Sequence, residues 1–560
     1  MTRARDHRRR ARSAARTPGS GAPRAVPPRP DRRPWWLLGA LAILPLLWAS
    51  RSAVLGTPVA DDYLFLALLQ RDPAPDVFGP MGAAYYWRPV GRQLYYVLLG
   101  PWLPDNAWLG PLVAALLLLV LYAALYRIAR HGFPPPLAAA LASFPLLAEP
   151  ARVLLAWPSA AQHLLGAVFA ALAVERALAA RGRGGLLAGA AAALLALLSN
   201  EAAVVVLPAL PLIAWFRARS RAGRPGVPGP ARWGAAALVV AALWAAGYAI
   251  ARAHGSALPV GGGRGVSWRD VDAILAQSLV SQLGHEGLAP PWSAPLLLAA
   301  GLLAAVAVAL SFRRTARARI VRALPVLLGG YAWFVATAAP LALLLPDWNG
   351  WRTTIPSLGL AVALGGWLAL AWRPLVFGLA GLRLVALLLA QPAPAVVTDV
   401  PAAGPSSFSF ARITRLQRIV ESTRRTLKAE VPRLPRHGVV RYGELVLLAE
   451  VGFNGANALR VWYGDTTLVW RGFGGRAGLH ERTDVYVEFE RERPWPAMRI
   501  EPEAFRLYRE AYGAGLAGRF DDADSLLVAA RRAQRREAPR FYALVDSCRA
   551  GIAPALPPGR

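Results

Sequence analysis

The sequence predicts an α-helical polytopic membrane protein that ends in a carboxyl-terminal domain of α/β and helical-repeat-like character. Three observations predict it. Of 560 residues, 55% are apolar and only 17% are charged, whereas a soluble chain carries about a quarter charged residues. Uncharged apolar stretches such as 233–250 and 296–310 recur along the chain, and about 20 such residues cross a hydrocarbon core of about 30 Å. Beyond about residue 398, charges become frequent and the apolar runs stop. The apolar runs do not alternate with polar residues, which excludes an outer-membrane barrel.

The net charge of +30 would suit a nucleic-acid partner. The arginines, however, fall in the amino-terminal tail and in short links between apolar runs, where the positive-inside rule puts them. No nucleic acid is expected as a partner. The single cysteine, Cys548, leaves neither an internal disulfide nor a thiolate metal cluster.

Residues 1–33 are rich in Arg, Pro and Ser and read as a disordered basic cytoplasmic tail. The apolar run 35–50 reads as an uncleaved first span rather than a signal peptide, and it opens a membrane domain over 34–397. Basic clusters at 127–131, 176–183, 217–232, 313–322 and around Arg373 mark the cytoplasmic links. Counting crossings predicts about eleven spans, beginning near 35, 107, 137, 163, 186, 202, 234, 293, 323, 356 and 375. The expected location is the cytoplasmic (inner) membrane, with the amino terminus inside and the carboxyl-terminal domain outside. The outer loops are then 56–106, the surroundings of 149–163, the corner 199–201, the loop 254–292 and the turn 346–352. In the carboxyl-terminal domain, 398–560, an amphipathic helix is expected over 412–430 and strands over 439–450, 458–470 and 484–489. A helical pair follows at 505–533, with a corner that resembles a tetratricopeptide repeat and a partner helix after Pro539.

The first outer loop holds the residues with chemical potential. Asp61 and Asp62 are adjacent carboxylates just outside the first span, and Arg88 and Arg92 follow. Charges beside a bilayer are costly unless they have work or water. A carboxylate is the natural base for a hydroxyl that attacks a sugar carbon. Guanidiniums are the natural grip for a leaving phosphate. Asp61 and Asp62 are therefore the candidate catalytic acids, and Arg88, Arg92 and Arg352 the candidate phosphate-binding residues. Tyr63, Tyr86, Glu149, Arg152 and Glu201 are further candidates for lining the same cavity.

Each has a plainer reading. An Asp before Tyr63-Leu64-Phe65 caps a helix, although capping accounts for one acid better than for two. Interfacial arginines snorkel to headgroups. Glu149 and Arg152 read first as a structural pair at a helix end. Asn200-Glu201 caps the next helix or faces the cavity. His285-Glu286 lacks a second histidine at helical spacing, and the glycine run 261–265 lacks the strand and helix of a phosphate cradle. No residue cluster calls for a metal, and the sequence names no cofactor; a divalent metal is left open.

In order, Asp61-Asp62-Tyr63 and Tyr86-Trp87-Arg88-Pro89-Val90 resemble the GT-C superfamily of polytopic glycosyltransferases. Among these the sequence is most similar to bacterial relatives of the O-mannosyltransferases that carry tetratricopeptide repeats. Glu149-Pro150 with Trp157 and Leu164-Leu165, Leu198-Ser199-Asn200-Glu201 with Pro208, and Arg352 with Pro356-Ser357-Leu358-Gly359 continue the pattern over 35–372, with a looser echo at 505–535. The resemblance implies inverting transfer of a hexose from a polyprenyl-phosphate donor to a hydroxyl of a glycan, lipid or protein. It places Asp61, with Asp62 as neighbour or alternate, near the attacking oxygen. The sequence departs from the family pattern at Asn200, where Lys is usual, and at Glu149, where His is frequent. Ala161 and His163 stand near positions where the family has Arg and Asp. The competing classes are a transporter or flippase of lipid-linked intermediates and a non-catalytic membrane scaffold. Asp61, Arg88 and Arg352 lining one outward cavity would separate the first class from the other two.

Overall fold

The described part of the chain is mainly helical, and many of its helices are long and apolar enough to cross a bilayer. The computed structural model describes residues 37–51, 55–81, 86–220, 227–255, 267–285, 288, 290–344, 349–390, 408–443, 449–472, 483–489, 501–535 and 537–556. The tail 1–33, the glycine run 261–265, the composition change near 398 and residues 346–348 of the last outer turn lie outside them. Among the described residues eight helices qualify as spans: Leu109–Arg130, Pro158–Ala179, Gly182–Ser199, Glu201–Arg219, Pro230–Ala253, Pro291–Ser311, Arg314–Leu343 and Gly350–Ala371. They overlap eight of the predicted spans, with starts between one and nine residues from the expected positions. The other three predicted spans are shorter helices, Leu37–Ala49, Pro135–Ala142 and Pro374–Leu389.

The shortest has a local cause. Pro145 supplies no amide donor and disfavours helix in the residue before it. The helix therefore stops at Ala142, and a new one, Glu149–Ala156, starts with Pro150 in its first turn. Arg383 of Pro374–Leu389 closes over the break, its guanidinium 3.8 Å from the Phe144 ring centroid.

The bundle carries its apolar side chains outward, as a lipid solvent requires. Leu238, Leu298 and Leu302 are exposed, while Arg88, Arg92, Gln162 and Asn200 are buried. Pro158–Ala179 and Gly350–Ala371 are enclosed, with 67% of their apolar windows buried against 11% for Pro291–Ser311. Backbones touch where Gly330 meets Gly359: a Cβ on Gly359 would stand 2.5 Å from the Gly330 carbonyl oxygen. Small residues permit this approach between membrane helices.

After the bundle, helix Phe410–Glu430 starts at Ser409, whose hydroxyl accepts the Arg412 amide. It buries Phe410, Ile413, Leu416, Ile419 and Val420 in the same core as the spans. Three strands follow: β1 (Val439–Gly443), β2 (Val469–Gly472) and β3 (Val485–Glu488). They form a parallel sheet in the order β2-β1-β3.

The strand expected over 458–470 is instead helix Asn457–Tyr463 followed by β2. Its buried residues Ala458, Leu459 and Trp462 have helical spacing. Gly464, at φ 66°, supplies the left-handed stop. The strand expected over 439–450 ends within the sheet at Gly443, and Ala449–Phe453 is helical. Parallel strands need a crossover, and these two short helices provide the one between β1 and β2. The helical pair appears as Pro502–Leu516 and Phe520–Ala533, turning at Gly518 with φ 74°, and Pro539–Ile552 packs on it. Their shared core takes in Tyr486 of β3.

Candidate functional site

The two acids close a tight turn over residues 59–62. The Asp62 amide donates to the Val59 carbonyl at 3.0 Å. Between them Ala60 has φ 51° and ψ −118°, the dihedrals of the first central position of a type II′ turn, where glycine is the usual residue. An alanine there stores on the order of 1–3 kcal/mol of strain. Asp62 then points inward and is fully buried. Its Oδ2 accepts the Val59 amide at 2.8 Å, and its Oδ1 accepts the hydroxyls of Tyr96 and Ser159, each at 2.5 Å. Burial raises the Asp62 carboxyl to about 7 against the pull of those bonds. Asp61 stays open to solvent. The protein crowded around the exposed carboxyl partly desolvates it and raises it above the ordinary range, opposed by Arg92 and Arg352. Of the two candidate acids, only Asp61 has a carboxylate available to a substrate; Asp62 is the cap of the turn.

The arginines are brought in by a π-turn, Val90–Leu94, in which the Leu94 amide reaches the Pro89 carbonyl at 2.8 Å. Gly91 makes the approach possible, since a Cβ there would lie 2.7 Å from the Gln162 Cβ and 2.8 Å from the Ser199 carbonyl oxygen. Gln162 Oε1 accepts Arg88 Nη1 at 2.7 Å and Arg92 Nε at 3.3 Å. Arg88 grips Glu201 with two parallel bonds, Nε to Oε2 at 2.7 Å and Nη2 to Oε1. Its guanidinium also covers the Tyr86 ring at 4.2 Å. Arg88 was expected to hold phosphate; in the structure its fork is engaged by Glu201, and it links Glu201, Gln162 and Tyr86.

Arg92 donates to the Tyr86 carbonyl at 3.1 Å and lies 5.5 Å from the Phe65 ring centroid. Burial, and then neighbouring Arg88, pull its guanidinium down to about 10. Two cations this close favour an anion between them. Arg352 enters from the first turn of Gly350–Ala371, with its guanidinium 4.9 Å from the Trp351 ring centroid and in electrostatic range of Tyr86. Tyr86 has φ 72°, so a second left-handed residue lies beside the first arginine.

Asp61, Tyr86, Arg88, Arg92, Glu201 and Arg352 thus share one locus, with His163 in electrostatic range of the three arginines. Ser159, Gln162, Glu201 and Arg352 all lie at the starts of their spans. The arginine-bearing links at 127–131, 176–183 and 313–322 sit at the opposite helix ends.

Three expected lining residues turn elsewhere. Arg152 pairs with Glu149 at 2.7 Å, donates to the Ala49 carbonyl at 2.7 Å and stacks on Phe410 at 3.8 Å. That buried pair is structural. Tyr63 is buried, and its hydroxyl accepts Trp462 Nε1 at 2.9 Å. At the third corner the roles divide: Asn200 accepts the Ala202 amide at 3.0 Å and contacts His163 at 2.9 Å, leaving Glu201 to the site.

Sequence reasoning missed Gln162, Ser159 and Tyr96. The signal for the first two was a polar pair in the opening turn of an apolar span. Among the described residues no group of three His, Cys, Asp or Glu side chains is placed to hold a metal ion. Comparison with family models, curated proteins and solved structures finds no match to this chain.

Proposed function

We propose that the chain is an inverting membrane glycosyltransferase that moves a hexose from a polyprenyl-phosphate donor to a hydroxyl of a glycan, lipid or protein. The observation that carries this reading is the open carboxylate of Asp61 beside Arg92 and Arg352, at the span ends remote from the arginine-rich links. Asp61 takes the acceptor proton as the acceptor oxygen attacks the anomeric carbon. The bond from that carbon to the phosphate oxygen breaks, and the phosphate leaves with the electron pair. Arg92 and Arg352 hold the charge that develops on it. Arg88 and Glu201 keep Tyr86 and Gln162 in place around them. The lipid-facing apolar surface of the bundle suits a prenyl tail.

The reading adopts eleven crossings, with Leu37–Ala49, Pro374–Leu389 and the broken helix Pro135–Ala142 with Glu149–Ala156 completing the count, and the site at the outer face of the cytoplasmic membrane. The amino terminus is then cytoplasmic and the segment after 408 extracytoplasmic. Purified protein, incubated with a panel of polyprenyl-phosphate sugars, is expected to release polyprenyl phosphate and transfer or hydrolyse the sugar. Asp61→Asn is expected to abolish this while still inserting into membranes. Wild-type rates in that variant would remove the assignment of the base.

A further inference from the structure

We infer that the carboxyl-terminal segment is a positioning device, which sets where Asp61 and Arg352 stand by holding the two loops that carry them. The inference rests on the transfer reaction proposed above. Ala60 adopts a backbone conformation that alanine does not favour, and such a residue persists only where its surroundings impose it.

Much of the restraint comes from residues more than 350 positions away in the chain. The Ala60 amide itself donates to the Gly452 carbonyl at 2.9 Å. Before the turn, Gln417 Nε2 donates to the carbonyls of Thr57 at 3.0 Å and Ala156 at 2.7 Å. After it, Trp462 Nε1 donates to the Tyr63 hydroxyl at 2.9 Å. The three contacts come from three helices, Phe410–Glu430, Ala449–Phe453 and Asn457–Tyr463, and they bracket Asp61 on both sides. The same segment reaches the second loop: the Phe408 amide donates to Asn349 Oδ1 at 2.6 Å, three residues before Arg352. Base and phosphate grip are therefore anchored on one support, and their separation follows from it.

The test compares the full-length protein with Trp462→Phe, which keeps an aromatic side chain and removes the donor, and with Gln417→Leu, which removes a different contact. Hydrogen exchange over residues 57–63 is expected to be at least about tenfold faster in both, with exchange in 109–130 unchanged. In the transfer assay kcat is expected to fall about tenfold, with the donor KM within about twofold. Adding Ala60→Gly should restore kcat to within about threefold, because glycine adopts this turn without outside help. A variant that was merely less stable would also exchange faster in 109–130, which separates that case from loss of the anchor. Arg506→Ala, whose bonds run to Glu503 and Glu510, should leave both readouts at wild-type values. Unchanged exchange in both donor variants, or no rescue by Ala60→Gly, overturns the inference. If the wild-type protein transfers no sugar, the proposed reaction falls, and the exchange measurement still decides whether the segment holds the loop.

Discussion

The arginines at the two ends of the bundle face different solvents and do different work. At one end Arg127, Arg130, Arg313, Arg314, Arg317 and Arg319 are exposed. Arg217, buried there, donates to the Ala177 and Ala180 carbonyls at 3.2 and 3.0 Å and so closes a helix carboxyl terminus. At the other end Arg88, Arg92 and Arg352 crowd around Tyr86, Gln162, Glu201 and Asp61. A guanidinium in water is a topological marker. The same group held beside another guanidinium and an open carboxylate is poised for an anion and a proton.

The comparison breaks most sharply at Asp61. Asp61→Asn should lower transfer by about a hundredfold to ten-thousandfold, the span of general-base effects. Asp62→Asn, whose side chain touches only the turn and its supports, should leave most of the activity, and rate assays on the two variants decide between them. Arg352→Ala or Arg92→Ala removes a charge-assisted grip of about 1.5–3 kcal/mol, so donor kcat/KM should fall by about tenfold to a hundredfold. Glu201→Gln leaves Arg88 without its counterion. Breaking a fully buried pair costs about 3–5 kcal/mol, and because Glu201 keeps 29% of its side-chain surface, about 2 kcal/mol is expected, read as a lowered Tm.

Acidity sharpens the same contrast. Asp61 must be ionised to act, and its carboxyl is raised by partial desolvation. Transfer should therefore fall on acidification at a higher pH than an ordinary carboxylate would dictate, by tenfold for each further unit. Asp62 acts on stability. Its folded-state carboxyl titrates near about 7, and the unfolded one near about 3.9. Between those values the folded protein holds the extra proton, so stability should decline as pH rises through that window. Asp62→Asn should flatten the decline in melting curves recorded from pH 4 to pH 8. The smallest effect is expected at the opposite end: Arg313→Gln with Arg314→Gln should leave transfer unchanged and stability within about 0.5 kcal/mol.

Much of the scaffold was legible because it follows from local pattern. Eight predicted spans coincide with helices, since a run of about 20 uncharged residues has one way to satisfy its backbone in lipid. The break at Pro145 and the helix at 457–463 were readable in principle from Pro145 and Gly464. The second was missed because alternating apolar residues over a short stretch do not distinguish strand from helix. The candidate site was legible only as a set of residue types. Adjacent acids in a sequence look alike, as do three arginines in outer loops. Nothing local separates Arg88, locked on Glu201, from Arg92 and Arg352.

The sequence by itself determined the class of solvent the chain is built for, the positions of most helices and the end of the bundle that gathers the basic links. These depend on composition and short-range period. Only the tertiary structure decided which acid is open and which is a cap. That choice is made by the turn at Ala60, whose neighbour Tyr63 is bonded to Trp462 from 399 residues further along the chain. Contacts of that range leave no local trace, because each partner alone is an ordinary aromatic in an apolar run.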